Sequence, residues 1–188
     1  QVIVLSEVNS TNLYALDTLA VEQRAAADGW VVFAEYQTAG RGRLGRSWHS
    51  PRGASLMFTV LRCSDSFRPH PARLVMAGAV AVAAGIERTT MVEPVIRWPN
   101  DLFIGGKKLA GILVEVRQMT ESLSAIAIGI GVNCLQHERH FPPDLRGRAT
   151  SLDLESSQPV HRTAVARAIL RELDGLLDEQ RGVSDDEL

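Results

Sequence analysis

Residues 95–134 read V-I-R-W-P-N-D-L-F-I-G-G-K-K-L-A-G-I-L-V-E-V-R-Q-M-T-E-S-L-S-A-I-A-I-G-I-G-V-N-C. Extended segments follow one another here with no helix between them. Residues 95–98 form a short strand stopped by Pro99, which forces an extended or turning backbone. Residues 102–104 and 108–117 are the arms of a hairpin whose turn carries Gly105-Gly106. Residues 123–134 are an apolar strand interrupted by Gly129 and Gly131. A run of adjacent strands argues for an α+β fold and against a doubly wound sheet, in which strands and helices alternate.

The flanking segments extend this pattern. Residues 2–8 alternate loosely and are rich in β-formers, so a strand is expected. Asn9-Ser10-Thr11 offers helix N-cap side chains, and Leu13, Leu16, Leu19 and Ala20 follow at helical spacing, predicting a helix to about Asp28-Gly29. Residues 30–37 and 55–62 read as strands, and residues 38–53 as a loop. The Ala/Val-rich stretch 71–88 is apolar nearly all round and is expected to be a buried helix. Val165, Ile169, Leu173, Leu176 and Leu177 define one face of a C-terminal helix. The acidic tail, Asp185-Asp186-Glu187, reads as solvated. The expectation is one α+β domain over residues 1–188, a mixed, largely antiparallel sheet with helices packed on one side.

Composition narrows the function. The chain has 188 residues, 45% hydrophobic and 22% charged, enough to bury a core. A net charge of −2 argues against a global nucleic-acid binder. No stretch reaches the 18 or so apolar residues of a membrane span, and the first residues do not read as a signal peptide. Gln rather than Met at position 1 reads as a fragment. Cys63 and Cys134 are too few for a disulfide framework and are expected to be core thiols in a reducing cytoplasm. His49, His70, His137, His140 and His161 show no metal-ligand spacing. Of the 20 basic residues 18 are Arg, and the two Lys stand together as Lys107-Lys108.

Two segments carry chemistry. The first is G-R-G-R-L-G-R-S-W, Gly40–Trp48. Arg41, Arg43, Arg46 and Arg52 lie in a stretch, residues 37–55, that holds no acidic residue. Gly40, Gly42 and Gly45 let backbone N–H groups wrap a ligand, and Arg can fork onto phosphate or carboxylate oxygens. Trp48 can supply an aromatic wall. A solvated basic loop for nucleic acid fits the charge alone equally well. The match to G-x-G-x-x-G is superficial, because no helix follows it.

The second segment is R-W-P-N-D (97–101) with G-G-K-K-L-A-G-I-L-V-E (105–115). Asn100 and Asp101 sit at a strand end, a usual place for binding groups. Asp101 has no partner acid for a two-metal site, but a single Mg²⁺ escorted by nucleotide phosphates needs only one or two carboxylates. Lys108 opens an apolar strand and offers a point charge, whereas Lys107 reads as an exposed neighbour. Gly111 in mid-strand suggests close approach of a ligand or another backbone. Gly129 and Gly131 fit either the same role or tight sheet packing. No Ser/His/Asp order or activated Cys is evident, so the pieces suit chemistry by positioning and electrostatics.

In order along the chain stand Ser10-Thr11-Asn12, Glu35–Arg43, Arg97–Asp101, Lys108–Glu115, Gly129–Asn133 and Ala149-Thr150-Ser151-Leu152. This series resembles the biotin protein ligases. The resemblance implies a catalytic domain of the class II aminoacyl-tRNA synthetase-like type. Such a domain joins biotin to ATP as biotinyl-5′-adenylate, with Mg²⁺, and passes biotin to one lysine of a biotin carboxyl carrier protein such as that of acetyl-CoA carboxylase. It implies biotin contacts for Ser10, Thr11, Asn12, Gln37, Arg41, Gly42, Arg43, Lys108 and Gly111. It implies ATP or adenylate contacts for Arg43, Arg46, Trp48, Asn100, Asp101, Lys108 and Asn133, catalysis by Lys108, Arg43 and Arg41, and Asp101 as a metal candidate. No winged-helix segment precedes Val2, and the small C-terminal β-barrel of many relatives is absent from the chain. Arg97 stands where Lys is common in the family. The partner expected is the carrier protein, with neither nucleic acid nor membrane; strand-rich surfaces permit an edge-to-edge homodimer without demanding one. A lipoate or octanoate ligase or transferase is the alternative.

Overall fold

Seven strands form one sheet among the residues that the computed structural model describes, which are 1–64, 71–121 and 123–179. The strands are β1 (Val2–Leu5), β2 (Val31–Ala34), β3 (Ser55–Ser64), β4 (Val95–Arg97), β5 (Asp101–Ile104), β6 (Lys107–Gln118) and β7 (Ser124–Asn133). Their order is β1-β2-β3-β7-β6-β5-β4. Only β1 and β2 run parallel; the other neighbours are antiparallel. The hairpin over Gly105-Gly106 forms as expected, with both glycines at positive φ, +54° and +79°, as a two-residue turn matched to the sheet twist requires. The acidic tail 185–187 and His70 lie outside the described residues.

Helices α1 (residues 11–23) and α2 (Pro71–Thr90) lie between strands, and α3 (Leu152–Glu155) and α4 (Arg162–Glu179) follow β7. The two long ones, α2 and α4, pack on one side of the sheet, as expected. Alternation in β7 explains why. Ile126, Ile128, Ile130 and Val132 enter a core with Leu74, Val82 and Ile86 of α2 and Val165, Ile169 and Leu173 of α4. The intervening Ala125 and Ala127 face the other way, onto Ala15, Leu16, Leu19 and Ala20 of α1. So α1 covers the opposite face, and only at one end of it.

Several local expectations are corrected. Strands β1 and β2 stop at Leu5 and Ala34, short of 8 and 37. Arg52 takes the Ser6 carbonyl and the Glu7 carboxylate, and pairing resumes only as a single bridge between Val8 and Gln37. The predicted helix to residue 28 takes a π-helical turn over Ala15–Leu19 and ends at Gln23, where Arg24 turns to φ +51° and a 3₁₀ turn follows. Ser10 occupies the N-cap position without a side-chain cap bond. The Thr11 N–H donates instead to Gln37 Oε1 at 2.8 Å, so a side chain from a distant loop satisfies the first turn.

The helices α2 and α4 are in tight contact at Gly85. A Cβ there would lie 2.6 Å from Ile169 Cγ1 and 2.7 and 2.9 Å from its backbone N and Cα. Backbone cannot yield without parting the helices. Gly85→Ala is therefore expected to cost about 1–3 kcal/mol, read as a lower urea midpoint. An unchanged midpoint would show slack between the helices.

Candidate functional site

The face of β7 that α1 leaves open continues as Gly129, Gly131 and Asn133. These stand opposite Thr59, Met57 and Ser55 of β3. Across β6, Gly129 and Gly131 stand opposite Leu113 and Gly111. The side chains along this face thus shrink from alanine to hydrogen, leaving a groove in the side-chain layer over three glycines that Asn12 fills above Gly129, Trp48 above Gly131, and Lys108 with Asp101 beside Gly111. A cleft of about 470 Å³ on the other face, lined by Val31, Val60, Leu170 and Leu177 among others, holds none of the residues expected at a site.

At one end of the groove a polar pocket is built from the start of α1. Gln37 Oε1 accepts from both the backbone N and, at 3.1 Å, the hydroxyl of Thr11. The buried Thr59 hydroxyl lies 2.8 Å from Thr11 Oγ1 and 2.6 Å from Asn12 Oδ1. Asn12 Nδ2 donates to the Leu113 carbonyl at 3.1 Å and to Glu115 Oε2 at 2.9 Å. Buried polar groups held this fully are oriented rather than mobile. Ser10, also buried, lies beside them at the helix start.

The glycine–arginine loop folds back on itself across this groove. Trp48 N donates to the Gly40 carbonyl, Gly42 N donates to the Arg46 carbonyl, and Arg41 bridges to Ser47. A 3₁₀ turn over Arg43–Gly45 makes its tip, a regularity the sequence did not announce. Three contacts hold the loop down. Arg41 pairs with Glu115 Oε1 at 3.0 Å. Arg43 donates to Asn100 Oδ1 at 3.0 Å. The Trp48 ring lies over Gly131, where a Cβ would be 2.9 Å from it. The loop thus reaches both motif segments, while Arg46 stays exposed.

The cationic end forms where β5 meets β6. Lys108 Nζ lies 2.8 Å from Asp101 Oδ1, with side chains 34% and 20% exposed. Asn100 Nδ2 donates to the same carboxylate oxygen and to the Ile112 carbonyl. Backbone bonds to Arg148 and Thr150 fix Lys108 from the other side. A Cβ on Gly111 would press on Lys108 and Asp101 at 3.3–3.4 Å. At the far end of the groove, Asn133 donates to the Thr150 carbonyl and accepts from Gln136. The Trp48 indole N–H and Gln136 Oε1 are buried with no partner among the described residues. No group of three or more His, Cys, Asp or Glu able to hold a metal occurs among the described residues.

A model of the biotin/lipoate A/B protein ligase family matches residues 4–133. The chain belongs to this family. It is 35% identical over 173 residues to the Bifunctional ligase/repressor BirA of Bacillus spizizenii, covering 88% of this chain and 53% of the relative. To the Biotin--[acetyl-CoA-carboxylase] ligase of Mycobacterium tuberculosis it is 35% identical over 189 residues, 98% of this chain and 66% of the relative. Biotin protein ligase from Aquifex aeolicus, in complex with biotin and ATP, aligns with a TM-score of 0.79 at 29% identity, over 98% of this chain and 73% of that one. The chain spans about half the length of the first relative and about two thirds of the second.

Within this biotin/lipoate ligase domain, sequence reasoning missed Thr59 and Gln136, and it quoted Glu115 without giving it a role. Each is a buried or half-buried polar residue. Thr59 and Glu115 are each flanked on both sides by apolar residues within their strands, a signal readable in the sequence, although their partners are not. Both cysteines are buried and free, as expected. Burial, with Asp28 adding to it against Arg62, raises the Cys63 thiol to about 11. Burial also pushes Cys134 up to about 12. Neither is a thiolate near neutral pH, so neither is an activated nucleophile. No described helix is long and apolar enough to cross a membrane.

Proposed function

We propose that this domain condenses biotin with ATP to biotinyl-5′-adenylate and then transfers biotin to a lysine of a biotin carboxyl carrier protein, that of acetyl-CoA carboxylase or a related enzyme. The observation that carries the reading is the groove itself. A hydrogen-bonding pocket lies at one end, with Arg41 tied to it through Glu115, and Arg43 and Lys108 meet through Asn100 and Asp101 at the other, on a chain similar to a ligase in complex with biotin and ATP.

The chemistry suits that division. Thr11, Asn12 and Gln37, with Ser10 beside them, offer the donors and acceptors that a ureido ring needs. Biotin's carboxylate then points along the glycine floor, past Gly111, toward Arg41, Arg43 and Lys108. Attack of that carboxylate on the α-phosphate brings two anions together, forms a C–O–P anhydride and expels pyrophosphate. Cations in a shielded groove offset the repulsion and the charge that develops. Gly42 lets the loop backbone come close, Trp48 and Asn133 flank the adenine, and Arg46 closes on the phosphates from the loop tip. In the second step the carrier's neutral amine attacks the acyl carbon and AMP leaves.

Asp101 fits Mg²⁺ only as a single carboxylate contact, since one of its oxygens already faces Lys108 and Asn100. An ion held there with the nucleotide phosphates would supply charge neutralisation. The buried thiols suit a reducing cytoplasm, and the open edges β1 and β4 are where a homodimer would pair. The raised thiols disfavour a transferase with a Cys nucleophile.

Biotin-dependent exchange of labelled pyrophosphate into ATP is the expected activity. Exchange with lipoate or octanoate and none with biotin would replace this reading by the lipoyl one.

A further inference from the structure

We infer that Glu115 is a positioning residue that ties the Thr11–Asn12–Gln37 pocket to the glycine–arginine loop, so that filling the pocket and holding the loop closed support each other. The inference rests on the function proposed above and concerns a residue given no role there. One carboxylate serves both parts. Its Oε2 accepts from Asn12 Nδ2 at 2.9 Å, and its Oε1 pairs with Arg41 at 3.0 Å. Asn12 is not free to drift. Its Oδ1 takes the Thr59 hydroxyl, its Nδ2 also reaches the Leu113 carbonyl, and its side chain occupies the space above Gly129. A continuous chain of polar contacts therefore runs from Gln37 through Thr11, Thr59, Asn12 and Glu115 to Arg41.

Exposure turns this tether into a switchable one. Arg41 is 44% exposed and Glu115 21%. An ion pair that wet contributes roughly 0–1 kcal/mol, so it holds the loop only weakly by itself. A ligand lying along the groove displaces water from the pair, and the same 3.0 Å contact strengthens as the local dielectric falls. Linkage makes the effect reciprocal: a ligand that tightens the tether is itself retained by it. The loop's second anchor, Arg43 on Asn100, does not touch the pocket and cannot report its occupancy this way.

Glu115→Gln isolates the link. The substituted amide has one acceptor oxygen for two donors. Asn12 is 3% exposed and Arg41 is much wetter, so the oxygen stays on Asn12 and the new NH₂ faces the Arg41 guanidinium, donor against donor. In the ligand-free variant, trypsin is expected to cut faster at Arg41–Arg46 while the thermal midpoint stays close to wild type. With biotin and ATP, the variant is expected to release adenylate about tenfold faster, within the usual 5–150-fold range of coupling between sites, with the initial rate of adenylate formation at saturating substrate less affected. Arg41→Gln, Glu115→Gln and the double variant complete a cycle. The double is expected to release adenylate no faster than the worse single, because both remove the same contact. Additive effects, or wild-type release from Glu115→Gln in a protein whose biotin-dependent exchange is intact, would overturn the tether alone. Absence of biotin-dependent exchange in the wild type would overturn the functional reading and the coupling with it.

Discussion

Lys108→Ala is expected to lower biotin-dependent pyrophosphate exchange by about 10²-fold or more, the usual loss when one transition-state donor is removed. That is about 2.7 kcal/mol of activation free energy. The ammonium sits where β6 begins, with its backbone bonded on both sides to residues 148–150 and its stem across Gly111. Such anchoring leaves little freedom except at the charged tip. An objection is that Lys108 only neutralises Asp101, 2.8 Å away. In that case the alanine variant would fail because it leaves a bare carboxylate beside the phosphates. The double variant Lys108→Ala/Asp101→Asn separates the two accounts. If Lys108 contacts the reacting carboxylate and phosphate, the double remains as slow as the single. If it serves only Asp101, the double recovers most of the rate. Lys108→Arg is also expected to be poor, because a planar fork replaces a compact charge in a site already shared with Asp101 and Asn100. Near-normal exchange in both single variants would remove Lys108 from the mechanism.

Much of this site was legible in the sequence because its groups are local. The glycine–arginine loop, the Asn100-Asp101 pair and Lys108 stand out by type and spacing, and the structure brings Arg43, Asn100, Asp101 and Lys108 into one chain of contacts. The run of strands from residue 95 to 134 settled the sheet for the same reason: neighbours in sequence are neighbours in space. What could not be read depended on contacts between distant segments. Asn9, Ser10 and Thr11 suggested a helix cap, and only the tertiary structure shows Gln37 satisfying the first turn while Thr11 and Asn12 face Thr59 and Glu115. Periodicity found the apolar face of the residues that become α1, but not which side of the sheet it covers. That side depends on the small odd-numbered residues of β7, whose meaning changes along one strand. Ala125 and Ala127 are core, while Gly129 and Gly131 are floor. The choice between ligand approach and tight packing at these glycines resolves toward neither extreme, since Asn12 and Trp48, two expected site residues, press on them.

Gly129→Ala is expected to abolish the pocket without replacing any of the side chains proposed to bind ligand. A Cβ at residue 129 would lie 2.3 Å from Asn12 Oδ1 and 2.9 Å from its Cγ and Nδ2. Asn12 cannot move aside cheaply. It is held by Thr59, Leu113 and Glu115, and each polar group left buried without a partner costs roughly 1–3 kcal/mol. Two such losses correspond to about 10²-fold or more in biotin affinity, with a lowered thermal midpoint. Gly131→Ala supplies the contrast. Its Cβ meets the Trp48 ring at 2.9 Å, but Trp48 rides on a loop held by a few exposed contacts and can lift. That variant is expected to keep most of its affinity for biotin and to raise the KM for ATP. The double variant Asn12→Ala/Gly129→Ala closes the argument: with the amide gone there is room for the methyl group, so the thermal midpoint is expected to recover while biotin affinity does not. Full biotin affinity in Gly129→Ala would show that Asn12 leaves the glycine floor when ligand binds, and would remove Asn12, held by Thr59, Leu113 and Glu115, from the binding pocket.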